Sequence, residues 1–189
     1  MNGDVLDLPL LFKALRFAAA HHCDDRRKGE DASPYINHPI AVAAELADVG
    51  VTDPEVLAAA LLHDTVEDTL ATPEDLEREF GLRVRDLVEA VTDEQGLPSR
   101  ERKRLQVVHA PGLEPHAQLI KIADKICNAY DVGHAPAAGW SLERRREYLD
   151  WTERVVAGCR GVSPVLEARY DAVLSDARAQ LESEVEAEA

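Results

Sequence analysis

With 189 residues, 46% of them hydrophobic and 30% charged, the chain has the length and make-up of one globular domain and is too apolar to be disordered. Its net charge of −15 disfavours nucleic acid and anionic membranes as partners, and no apolar run approaches the roughly 18 residues of a membrane helix. Three scattered cysteines (Cys23, Cys127, Cys159) form no CxxC pair, which excludes a disulfide framework or zinc knuckle and fits reduced thiols in a cytoplasm.

The chain opens with MNGDVLDLPLLF, which carries two Asp and no early Lys or Arg, so it does not read as a signal peptide. From there Ala, Leu, Glu and Arg dominate and strand-like alternation is scarce. That pattern predicts an all-α bundle of nine or ten helices, with at most a minor β-hairpin. The helices are expected near 8–22, 39–49, 54–67, 73–80, 83–91, 99–109, 116–131, 141–158 and 164–182. Asp53-Pro54, Thr72-Pro73 and Ser163-Pro164 each place a capping side chain before a proline suited to a first turn. Gly50 and Gly81 look like helix stops. Two loops stand out, DDRRKGEDASPYIN (24–37) and DEQGLPS (93–99). A single domain is expected over 1–182, with 183–189 as an acidic, disordered tail.

Within the 54–67 helix, the stretch AALLHDTVEDT (59–69) places His63, Asp64, Glu67 and Asp68 directly after an apolar run. On a helix they span an arc of roughly 140°. Acidic residues stacked at a helix C-terminus repel one another and oppose the helix dipole. They are either a solvated helix end or groups gathered around a cation. Further on, LIKIADKICNAYD (119–131) aligns Lys121, Asp124, Lys125 and Asn128 within roughly 100° of an otherwise apolar helix. An internal salt bridge or a polar site would each account for that stripe. In SPYINHPIAVAAEL, His38 sits at the mouth of an Ala-rich helix. His38, His63, Asp64 and Asp124 together form a nitrogen–oxygen set suited to Mn, Fe or Zn, and the absence of thiolate argues against structural zinc.

This His38 … His63-Asp64 … Asp124 order resembles the H…HD…D pattern of the HD-domain metal-dependent phosphohydrolases. The blocks RRKGEDASPYINHPIAVA, AALLHDTVEDT, FGLRVRDLVEAVTD, LPSRERKRLQ, LIKIADKICN and GWSLERRREYLDW occur here in chain order. They resemble successive blocks of the hydrolase domain of the RelA/SpoT homologue family, and most of all its small alarmone hydrolases, the metazoan SpoT homologues. The likeness covers about residues 8–160.

The resemblance implies an HD-domain helical bundle that binds Mn²⁺ through His38, His63, Asp64 and Asp124. It implies Glu67 and Asp68 as the catalytic pair that orients and deprotonates water. The implied substrate is the alarmone of the stringent response, guanosine carrying a 3′-diphosphate and a 5′-di- or triphosphate, from which the 3′ pyrophosphate is released. Arg26, Arg27 and Lys28 match the family's basic loop near the nucleotide. Lys125 and Asn128 match substrate-side positions, and Arg144 and Tyr148 match phosphate contacts. A small-molecule nucleotide is thus the expected partner, without nucleic acid or membrane; oligomeric state stays open. The chain ends soon after the matching region, so hydrolysis without alarmone synthesis is expected, in the cytoplasm. The alternatives are an HD-domain phosphatase acting on another nucleotide such as NADPH, and a non-catalytic nucleotide-sensing module.

The sequence departs from the family in lacking an Arg near Tyr130 and a basic residue at Ser99, where the adjacent Arg100 is expected to substitute. The DEQGLP loop also carries less positive charge than its counterparts. His21 and His22 are expected to be capping or solvated, and His109, His116 and His134 to lie on the surface.

Overall fold

The computed structural model describes residues 7–29 and 31–188; the first six residues, Glu30 and the last residue of the expected tail, Ala189, lie outside them. The described residues form ten α-helices: α1 Leu8–His21, α2 Asn37–Asp48, α3 Pro54–Leu62, α4 Thr65–Asp68, α5 Pro73–Phe80, α6 Leu82–Val91, α7 Ser99–His109, α8 Pro115–His134, α9 Leu142–Cys159 and α10 Pro164–Glu188. A short 3-10 turn, Ala110–Gly112, links α7 to α8. Among the described residues there is no strand. Two isolated bridges, Arg26 with Pro34 and Gly29 with Ala137, tie the loop after α1 to itself and to the segment after α8. No described helix is long and apolar enough to cross a membrane.

Capping chemistry sets most of the starts. Asp53 accepts the Glu55 and Val56 amides ahead of Pro54, and Thr72 forms a reciprocal capping box with Asp75. Glu114 caps α8 and Ser141 caps α9 in the same way. Gly81 takes φ +86°, which an L side chain rarely adopts, and so separates α5 from α6.

Every residue from Val56 to Leu62 in α3 is buried, and the helix packs against α1, α2, α6 and α8. α8 packs on α2, α9 and α10. The last of these contacts is close: a Cβ on Gly133 would meet Ala177 at 2.9 Å. α8 carries Asp124, Lys125 and Asn128, and the end of α3 delivers His63 and Asp64, so the core holds the site in place.

The helix expected over 54–67 is broken. It stops at Leu62 and resumes as the single turn α4. The His63 ring nitrogen Nδ1 hydrogen-bonds the Ala60 carbonyl at 2.9 Å and Thr65 Oγ1 donates to the Leu62 carbonyl at 2.6 Å. Side chains thus take carbonyls that a continuing helix would use. At the other end, α10 runs on through the segment expected to be disordered, as far as Glu188. Just before it Leu181 is buried, and within it Glu184 accepts two hydrogen bonds, 2.5 and 2.9 Å, from the buried Arg145.

Candidate metal centre and nucleotide cavity

A cavity of about 900 Å³ opens where the loop after α1, α2, the α3–α4 junction, α7, α8 and α9 meet. On its floor, His38 Nε2 lies 3.1 Å from Asp124 Oδ1 and His63 Nε2 3.1 Å from Asp64 Oδ2. The cross distances are 3.7 Å (His38 to Asp64) and 3.8 Å (His63 to Asp124). His38, His63 and Asp124 each present one ligand atom, all within 4.8 Å of one another, and Asp64 Oδ2 adjoins both imidazoles. α2, the α3–α4 break and α8 each contribute, so the break aims His63 and Asp64 at residues far away in sequence.

Neighbouring groups hold these side chains from behind. With Nδ1 committed to the Ala60 carbonyl, His63 turns Nε2 toward the carboxylates, where that buried atom has no hydrogen-bond partner. Asp124 accepts from Lys125 Nζ at 2.7 Å and from Asn128 Nδ2 at 2.6 Å. Burial disfavours an imidazolium at His63, yet Asp64 and Asp124 outweigh it and raise its pKa to about 10. Burial likewise opposes charge on the two carboxylates. The Lys125 ammonium nevertheless holds Asp124 well below the usual range, and His63 holds Asp64 below it. The cluster therefore demands positive charge between its carboxylates. With a divalent cation there in place of the proton, His63 Nε2, which has no hydrogen-bond partner, joins His38 Nε2 and the carboxylate oxygens as the nitrogen–oxygen donor set the ion takes. The residues fit such an ion.

Glu67 and Asp68 stand beside this cluster in different surroundings. Glu67 accepts from Arg102 at 2.8 Å and from the Asp93 amide at 3.1 Å. The Gln95 side chain grips the backbone of the same turn through the Val66 and Glu67 carbonyls. Asp68 instead faces the Tyr35 hydroxyl at 3.1 Å. Burial raises the pKa of both carboxyls; the Asp93 amide opposes that rise at Glu67, and the Asp64 charge adds to it at Asp68.

Every residue expected to be a metal ligand, a catalytic group or a substrate contact lines this one cavity, although not every one is free to reach a ligand. Arg26 turns its guanidinium onto the Cys23 and Asp25 carbonyls, bracing the loop. Arg27 pairs with Asp131 and lies over the Tyr35 ring. Lys28 lies exposed on the cavity rim. Lys125 is committed to Asp124 and packs over Trp151, 4.5 Å from the ring centroid. Arg144 stacks on Trp140 at 4.4 Å, and Tyr148 packs between Trp140 and Trp151.

The structure adds residues that the sequence pattern did not single out. Lys103 lies 4.5 Å from the Tyr148 centroid and 4.9 Å from that of Trp151. Burial and then the Arg144 charge lower its pKa. Among the described residues, neither Lys103 nor Arg144 has an ion-pair partner. Ser99, Arg102 and Lys103 all face the cavity, whereas Arg100 does not line it, so the basic side chains there are those two and three residues beyond the expected substitute. His22 is not solvated: it is 2% exposed, bonded to Asp25 at 2.9 Å, and packed against Tyr35. His134 is exposed as expected but also borders the cavity. On the polar stripe of α8, Lys121 donates to the Val91 carbonyl at 2.7 Å, while the internal salt bridge considered from sequence is the Lys125–Asp124 pair.

Comparison with known proteins places this geometry. A family model described as the HD domain matches residues 14–150. The guanosine-3′,5′-bis(diphosphate) 3′-pyrophosphohydrolase MESH1 of Xenopus tropicalis is 48% identical over 171 residues, 90% of this chain and 96% of that protein. The human protein of the same name is 51% identical over 158 residues, 83% of this chain and 88% of that one. A solved structure, described as a metazoan orthologue of SpoT that hydrolyses ppGpp and plays a role in starvation responses, superposes with a TM-score of 0.86 at 42% identity. It covers 88% of this chain and 94% of its own.

Proposed function

This chain belongs to the HD-domain family, among the metazoan SpoT homologues, and on that premise we propose that it hydrolyses (p)ppGpp, releasing the 3′ pyrophosphate to leave GDP or GTP. The observation that carries this reading is the convergence of His38, His63 and Asp124 within 4.8 Å on the floor of a cavity that Glu67 and Asp68 also line. We propose one hydrolase domain over residues 1–182 in a cytoplasmic setting, which suits a nucleotide substrate and free cysteines.

His38, His63, Asp64 and Asp124 would hold the divalent cation, and their nitrogen–oxygen donor set suits Mn²⁺. When bound, such an ion supplies the charge that activates water and offsets negative charge developing at phosphorus. The chain's own residues do the rest. Glu67 is kept in one orientation by Arg102 and the Asp93 amide, and its raised pKa makes it a more effective proton acceptor near neutral pH. It takes the proton from the attacking water. Asp68, the next residue of the same turn, orients that water.

Lys103 and Arg144, whose donors are not committed to carboxylates, bind phosphate oxygens, and the Tyr148 hydroxyl adds a further donor. Lys28 and Arg27 approach the nucleotide from the loop. Trp140 offers a flat surface for its base. A panel of ppGpp, pppGpp, NADPH and deoxynucleotides, assayed with Mn²⁺ and after chelation, tests this function. Pyrophosphate release from ppGpp that chelation abolishes and Mn²⁺ restores is expected. Full activity after thorough metal removal would overturn the mechanism.

A further inference from the structure

Tyr35 stands just before α2, hooked to the preceding loop by its amide, which donates to the Asp25 carbonyl at 3.1 Å. Its hydroxyl reaches two carboxylates at once, Asp64 Oδ2 at 2.7 Å and Asp68 Oδ2 at 3.1 Å. Asp64 belongs to the cation cluster and Asp68 to the catalytic pair. A phenol has one proton, so it satisfies one acceptor at a time and holds the other by proximity. Among the described residues, no other side chain hydrogen-bonds to Asp68.

The ring is fixed on several sides. The His22 ring packs against it with centroids 4.7 Å apart, and Asp25 anchors His22 at 2.9 Å. The Arg27 guanidinium lies over it at 5.6 Å, and the His38 ring meets it edge-on at 6.0 Å. A hydroxyl held this firmly between two like charges restricts how either carboxylate can rotate. The paired arrangement at Glu67, supported from α7 and the Asp93 amide, does not involve it.

We infer that Tyr35 is a positioning residue that joins the cation site to the catalytic pair, so that one hydroxyl governs both cation affinity and the alignment of Asp68. The inference rests on the functional reading above. Groups that orient a ligand carboxylate typically change metal affinity 10- to 100-fold when removed. Half-buried among His22, Arg27 and His38, the ring itself does the packing, so Tyr35→Phe removes the hydroxyl alone.

The test uses the full chain. Calorimetric titration with Mn²⁺, without nucleotide, should show Tyr35→Phe binding roughly 10- to 100-fold more weakly than the parent chain. At saturating Mn²⁺, kcat for ppGpp should fall while KM stays within about twofold. A double-mutant cycle separates positioning from general loosening: Tyr35→Phe combined with Asp68→Asn should be no slower than Asp68→Asn alone. Thermal unfolding should leave the Tyr35→Phe midpoint near that of the parent. Unchanged Mn²⁺ affinity, or kcat losses that simply multiply in the double variant, would overturn the inference. A parent chain that binds Mn²⁺ yet releases no pyrophosphate would instead overturn the functional reading, while the affinity comparison still decides the role of Tyr35 at the cation site.

Discussion

The floor and the wall of the cavity are put together differently. On the floor, imidazoles and carboxylates come from α2, α8 and the α3–α4 break, and each leans on another: His63 on the Ala60 carbonyl, Asp124 on Lys125 and Asn128. Along the wall, Lys103 and Arg144 lie on Tyr148, Trp151 and Trp140, without ion-pair partners among the described residues. Aromatic faces hold a cation in place without neutralising it. In a chain of net charge −15, two cations left without carboxylates are prepared for an anion from outside. The floor sets geometry for chemistry, and the wall sets attraction for a polyanion.

The contrast predicts where each kind of damage should appear. The largest effect should come from the floor. Asp124→Ala removes a cation ligand and should lower turnover by roughly 10³-fold or more, several kcal/mol of lost charge stabilisation. Metal content after dialysis should fall with it, and full turnover with full metal content would break the assignment. The same change strands the buried Lys125 ammonium, so a stability loss of about 1–3 kcal/mol should accompany it.

Next comes the junction of the two regions. Glu67→Gln should lower kcat by about 10²-fold, the loss typical of a general base, with Mn²⁺ and nucleotide binding largely kept. A kcat close to that of the parent chain would remove Glu67 from proton transfer.

The wall should respond in KM. Lys103→Ala should raise KM for ppGpp about tenfold, equal to about 1.4 kcal/mol, and leave kcat nearly unchanged. Added salt should weaken binding by the parent chain more than by the variant, since less of the variant's attraction is left to screen. An equal salt response would place Lys103 outside the nucleotide's reach.

An ion pair that belongs to neither region sets the lower bound. Arg145 holds the Glu184 carboxyl below its ordinary value. A group depressed in the folded state stabilises above its unfolded pKa, about 4.3 for Glu, and loses that contribution as pH falls through the lowered folded value. Glu184→Gln should therefore cost about 1 kcal/mol at pH 7, read from urea midpoints, and close to nothing at pH 2. Activity should be unaffected.

The floor was legible in the sequence because its pattern is local: adjacent His63 and Asp64, an acidic pair one turn on, and a polar stripe on an apolar helix. The helix break was not. Leu, Glu and Ala favour continuation, and only the folded environment brings His63 and Thr65 onto the carbonyls that end α3. His22 read as capping or solvated, and it does take the C-cap of α1, but nothing nearby in sequence announces Tyr35, thirteen positions on, as its packing partner.

The wall was only half legible for the same reason. Arg144 and Tyr148 share one helix, but Lys103 reaches Tyr148 and Trp151 only through the packing of α7 on α9. The phase of α7 decides that Lys103 rather than Arg100 faces inward. The tail read as disordered from its acidity, yet the buried Arg145, far earlier in the chain, supplies the charge that draws Glu184 in.

The close approach of Gly133 to Ala177 makes α10 a ruler for α8. A methyl group on residue 133 would need space that Ala177 already fills, 2.9 Å away. α8 would have to slide or tilt, and Asp124 lies on that same rigid rod, about two and a half turns back. The alignment of Asp124 is thus calibrated by a missing side chain where α8 meets α10.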